Sequence, residues 1–80
     1  MKKLELLGLV ENNITNIDIL EKVNFKELKE LYLCKNNISD IKVLEIIKFE
    51  KLEILDLNNN KIDEQLNKLI ISKMNTILKI

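Results

Sequence analysis

Self-similarity at a fixed offset constrains this chain more than any other feature. Three segments, LELLGLVENNITNIDILEKVNFKE, LKELYLCKNNISDIKVLEIIKFEK and LEILDLNNNKIDEQLNKLIISKMNT, align without a gap through their first halves at an offset of 24 residues. The offset carries Leu4 to Leu28 and Leu52, Leu7 to Leu31 and Leu55, and Leu9 to Leu33 and Leu57. It also carries Asn12 to Asn36 and Asn60, and Ile14 to Ile38 and Ile62. A chain built this way must stack like units on one another, because no single unit of this length buries its own apolar face.

Each column has a physical role. Around L-x-L the side chains alternate, so Leu7 and Leu9, Leu31 and Leu33, and Leu55 and Leu57 are expected to point inward from short parallel strands. The asparagine that follows falls where the chain turns out of the strand, and its amide is expected to bond backbone groups left unpaired there, forming a ladder between units. Thr15-Asn16 and Ser39-Asp40 then read as helix caps. Beyond them Ile17, Leu20 and Val23, and again Ile41, Leu44 and Ile47, recur every three residues, the spacing of a short helix or 3₁₀ segment packed on the sheet. Phe25 and Phe49 are expected to plug the corner before the next strand. The third unit slips: Leu66, Leu69, Met74 and Ile77 match Ile41, Leu44, Phe49 and Leu52 only with one residue inserted after Ile62, which aligns Ile80 with Leu55. A fourth strand is then expected from about Ile77. The competing picture is a longer closing helix over residues 63 to 75.

These columns spell L-x-x-L-x-L-x-x-N-x-I three times in one register, and the chain resembles the leucine-rich-repeat family over almost its whole length. Its later columns resemble the subclass found in the regulator of type-one protein phosphatase, departing from it by two extra residues per repeat, which fall around Phe25 and Phe49. The resemblance implies an α/β solenoid, with short parallel strands on a concave face and short helical or 3₁₀ segments on a convex face. The expected organisation is one domain with repeats 4–27, 28–51 and 52–76 and a partial fourth at 77–80. Solenoids close their ends with caps, whereas the strand Leu6 to Val10 is read here as an open edge. Hence the array is expected either to continue in a longer one or to self-associate through residues 4 to 14.

The chemistry-bearing residues are few. Histidine is absent, removing the commonest general base and metal ligand. Cys34 has Lys35 beside it but no identifiable base, and the single glycine, Gly8, cannot build a phosphate loop. Asp56-x-Asn58-x-Asn60 opens like a calcium-binding EF-hand loop, yet Lys61 stands at the glycine position and Asn67 at the bidentate acid position. The sequons at Asn13 and Asn37 are by-products of the repeat. The chain therefore reads as a non-enzyme with no catalytic residue, no cofactor and no metal. The 13 lysines balance 13 acids and there is no arginine, which argues against nucleic-acid and anionic-membrane partners. Met1-Lys2-Lys3 before a leucine run hints at a signal peptide, but Glu5 and Glu11 interrupt it. One cysteine allows no internal disulfide, and the expected location is cytoplasmic.

What remains is binding. Family resemblance places the outward strand positions on the concave surface, and the expected partner site is Leu6, Val10, Glu30, Tyr32, Cys34, Lys35, Ile54, Asp56 and Asn58, with Gly8, Glu11 and Asn59 beside them. Its apolar members are not demanded by the repeat core, and Tyr is enriched at interface hot spots. A protein partner with an apolar segment flanked by Lys or Arg would complement it. The opposite face, with Asp18, Glu21, Lys22, Lys26, Lys42, Glu45 and Lys48, reads as mixed in sign and solvated.

Overall fold

The L-x-L segments do pair side by side. A computed structural model describes residues 4–23 and 25–80, so the basic start read at Met1-Lys2-Lys3 lies outside the described residues. Strands β1 (Leu6–Gly8), β2 (Glu30–Tyr32), β3 (Ile54–Asp56) and β4 (Leu78–Lys79) form one parallel sheet in chain order. The connections carry a 3₁₀ segment (Asp18–Lys22), helix α1 (Val43–Ile46) and helix α2 (Lys68–Lys73). Parallel neighbours require a crossover, and each helical segment supplies one. Leu31 stands opposite Leu7 on one side and Leu55 on the other. Pairing runs past the strand ends, with Leu9 N–H donating to Tyr32 C=O and Leu33 N–H to Asp56 C=O, both at 2.8 Å.

Two devices turn the chain out of the sheet. Glu11, Lys35 and Asn59, at equivalent places, adopt the left-handed conformation with φ of 59°, 58° and 59°. Next to them sits the asparagine ladder. Asn36 Oδ1 accepts the amides of Asn12 and Ile14, each at 2.9 Å, while its Nδ2 donates to Leu9 C=O (2.8 Å) and Leu33 C=O (2.9 Å). Asn60 repeats the arrangement one turn later, accepting from Ile38 N–H and donating to the carbonyls of Leu33 and Leu57. Asn12, in the first turn, donates only to Val10 C=O among the described residues.

The core is concentrated in the middle repeat, which is covered from both sides. Leu28, Leu31, Leu33, Ile38 and Ile41 are fully buried, whereas Leu7, Leu9 and Ile14 before them and Leu52 and Ile62 after them are only partly covered. Phe25 and Phe49 fill the corner as expected, stacked with ring centroids 5.7 Å apart. On the helical side Asn16 and Asp40 each accept an amide two residues on, from Asp18 and Lys42, so they close turns ahead of the helical segments rather than capping them directly.

Further expectations are corrected. Val23 is exposed, because the 3₁₀ segment ends at Lys22 and Val23 is already extended. Leu66 and Leu69 also point outward, the latter 72% exposed, and Asn67 (1%) and Ile70 take the inward positions. The phase of α2 is set by polar anchors. Asn67 Oδ1 accepts from Ile41 N–H at 2.9 Å and its Nδ2 donates to Ser39 and Asp63 carbonyls at 2.7 Å, while Asp63 Oδ1 accepts from the amides of Gln65 and Leu66. Burying one leucine is worth roughly 1.5–3 kcal/mol. Leaving several buried polar groups unpaired costs roughly 1–3 kcal/mol each, so the polar set wins.

The last register also differs: Leu78, not Ile80, stands opposite Leu55. α2 passes into β4 through a turn closed by Leu78 N–H on Met74 C=O, omitting the extended corner that carries Phe49 in the previous repeat. Hence the fourth strand and a closing helix coexist, the helix being shorter than residues 63 to 75.

Candidate functional site

Parallel pairing in register converts a repeat into rows. One row across the sheet is Leu6, Glu30 and Ile54, and the next is Gly8, Tyr32, Asp56 and Lys79. Their strand neighbours Leu31 and Leu55 are buried, so by alternation these residues face away from the core. Leu6 is 52% exposed, Val10 is exposed in the turn after β1, and Tyr32, Cys34, Ile54, Asp56 and Asn58 are half-buried.

The polar members of the face are organised among themselves. Tyr32 O–H donates to Glu30 Oε1 at 2.5 Å, holding the ring along the strand between the two rows. That bond, followed by partial desolvation and the charges of Glu30 and Asp56, raises the phenol above its ordinary value of 10.0. Asp56 Oδ1 accepts from Asn58 N–H at 3.0 Å, fixing the turn after β3. Glu30 and Asp56 thus give the face its acidic character.

The cations sit at its margins. Lys35 Nζ lies 3.6 Å from Glu11 Oε1, an exposed pair on adjacent turns, so the positive charge expected from Lys35 is matched locally. Lys79, opposite Asp56, is a member that sequence reasoning missed, because the slipped alignment put Ile80 against Leu55. The signal was Leu78 itself, whose neighbour Lys79 falls on the outward side once Leu78 takes the inward place.

Asn67, set aside with the failed calcium-loop spacing, is a structural tie between the third repeat and the second. Among the described residues no group of three or more His, Cys, Asp or Glu could hold a metal ion, and no helix is long and apolar enough to cross a membrane. Every buried side-chain nitrogen or oxygen among them has a partner, so the polar interior is spent on holding turns together.

The family model described as Leucine Rich repeats (2 copies) matches residues 26–71. No curated protein and no solved structure matches the chain significantly. The matched span contains β2, α1, β3 and most of α2, together with both laddered asparagines, Asn36 and Asn60. With its parallel sheet, its asparagine turns and this match over more than half its length, the chain belongs to the leucine-rich-repeat family, whose members generally mediate protein–protein interaction and are typically not catalysts.

Proposed function

We propose that this chain is a non-catalytic module that binds a partner protein through the outward face of its sheet, the concave side of a short solenoid with 24-residue repeats. The observation that carries the reading is the row Leu6, Glu30 and Ile54 beside Tyr32. Two exposed or half-exposed aliphatic side chains flank a carboxylate already oriented by a tyrosine, on a face the core does not need. The complementary partner presents an apolar helix or strand with Lys or Arg beside it, whose cations meet Glu30 and Asp56. Residues Leu6, Val10, Glu30, Tyr32, Cys34, Lys35, Ile54, Asp56 and Asn58 make up the proposed contact. The later columns keep the resemblance to the phosphatase-regulator subclass, and the lone, half-buried Cys34 suits a reducing compartment such as the cytoplasm.

Replacing Tyr32 and Ile54 together by Ala should cost about 3 kcal/mol of binding, on the order of a hundredfold in affinity, if both are anchors. A pull-down in which the double variant recovers the wild-type set of proteins refutes the reading.

A second reading has its own observation. Asn36 and Asn60 each accept backbone amides of the preceding turn, whereas Asn12 Oδ1 accepts none among the described residues, and Leu4 and Leu6 of the same first repeat are exposed. A second copy seated on β1 would complete that layer, giving end-to-end self-association through residues 4 to 14. Sedimentation showing a stable monomer at high concentration removes this reading and leaves the first intact.

A further inference from the structure

The helical side holds a groove that the repeat pattern does not announce. α1 packs more closely against the 3₁₀ segment of the first repeat than against α2. The gap opens into a hollow of about 420 Å³ walled by Lys42, Ile46, Leu66, Lys68 and Leu69. A second hollow of about 340 Å³, over Phe49 and Met74, adjoins it, the two sharing Glu45 and Ile70. Its apolar wall is a consequence of the polar anchors described above. Because Asn67 fixes the phase of α2, Leu66 and Leu69 face outward, and Ile46 of α1 joins them at 62% exposure. Three large aliphatic side chains thus gather on a side that reads from sequence as charged and solvated.

The charges at this groove are unequal. Glu45 is held by Lys73 across the gap at 2.5 Å, so the acid is already matched. Lys42 and Lys68 have no acidic group within ion-pair distance among the described residues. The uncommitted charge at the rim is therefore positive. The backbone of both walls is internally bonded, as in Leu44 N–H to Ile41 C=O, Glu45 N–H to Lys42 C=O and Ile71 N–H to Asn67 C=O. An extended strand entering here would lose its water partners and gain none, whereas a helix carries its own hydrogen bonds.

We propose that the groove between α1 and α2 is a second docking surface, which takes an amphipathic helix of a partner protein whose apolar stripe is flanked by Asp or Glu. The stripe lies on Ile46, Leu66 and Leu69, and the flanking acids meet Lys42 and Lys68. This surface lies on the other side of the sheet from the proposed concave site and does not depend on it.

The test is selection of short helical peptides from a displayed library on the full chain, followed by affinity measurement of the enriched peptides by fluorescence polarisation. Enrichment of acidic sequences with apolar residues at i, i+3, i+4 and i+7 is the expected result. Binding should fall at least about tenfold with Leu69→Lys, whose exposed site leaves the fold unchanged, as its thermal melt will verify. The charge reversal Lys42→Glu with Lys68→Glu should turn the preference to basic peptides. No enrichment, enrichment of basic peptides on the wild type, or affinity indifferent to Leu69→Lys overturns the proposal. So does a wild-type dimer in sedimentation that Leu69→Lys disperses, since the occupant is then a second copy.

Discussion

Asn36→Ala removes a side chain with five hydrogen bonds, the most of any among the described residues. Its amide accepts from Asn12 N–H and Ile14 N–H and donates to Leu9 C=O, Leu33 C=O and, at 3.3 Å, Cys34 C=O. Nδ2 has two hydrogens for three acceptors, so four bonds carry most of the energy. The bond to Leu33 C=O is buried, and an unpaired group there costs roughly 2 kcal/mol. The other three lie where water can partly replace the amide, at about 1 kcal/mol each. A total near 5 kcal/mol compares with roughly 4–12 kcal/mol for a whole domain of this length. Asn36→Ala should therefore leave the chain partly or wholly unfolded at 25 °C. Asn60→Ala, with three good bonds, should cost about 3 kcal/mol, and Asn12→Ala, with one exposed bond, about 0.5 kcal/mol. Urea denaturation followed by circular dichroism measures all three. Asn36→Asp, which keeps the acceptor and loses both donors, should fall between wild type and Ala. Equal losses at positions 12, 36 and 60 would refute the ladder, which gives the three asparagines unequal sets of bonds.

Further expectations are local. Lys35 sits at φ 58°, so Lys35→Gly should raise stability by about 0.5–1 kcal/mol, while Lys61→Gly, outside the left-handed region, should lower it; urea midpoints that move together contradict this. A Cβ at Gly8 meets nothing within 4 Å and its φ is not positive, so Gly8→Ala should stabilise the chain by roughly 0.5 kcal/mol, and a lower thermal midpoint argues against the open outward position. Tyr32 should ionise above its ordinary 10.0 in an ultraviolet titration, and Glu30→Gln should bring it back down. Because the folded value is the raised one, the Tyr32 contribution to stability is complete below pH 10.0 and is lost as pH rises through the folded value. A titration at or below 10.0 refutes the hydrogen bond.

The legible parts of the fold were those fixed by one residue's own chemistry. Inward leucines of L-x-L, the turn asparagines Asn36 and Asn60 and the Phe25–Phe49 corner each follow from alternation, amide bonding or shape, and stand where their columns place them, whereas the Asn12 side chain makes no bond between repeats among the described residues. The helical side was less legible because apolar spacing alone does not set the phase of a short helix. Asn67 and Asp63 set it, turning Leu66 and Leu69 outward, while the β4 register follows from the turn that Leu78 N–H closes on Met74 C=O. Glu11 and Lys35 carry no signature of a left-handed turn; the stacked repeats impose it, and only Asn59 looks the part. The candidate face was readable in its rows, since the offset fixes which residues stand side by side, but Lys79 was hidden by the slip and the neutralising Glu11–Lys35 pair by its crossing of turns.

The proposed function requires the outward sheet face to touch a partner protein. A photo-crosslinking phenylalanine at position 32, compared with one at position 18 on the helical side of the first repeat, tests it directly in native lysate. A discrete heavier adduct should form from position 32, be lost when Ile54→Ala is added, and be absent from position 18. Adducts from position 18 alone, or equal yields from both, would contradict it.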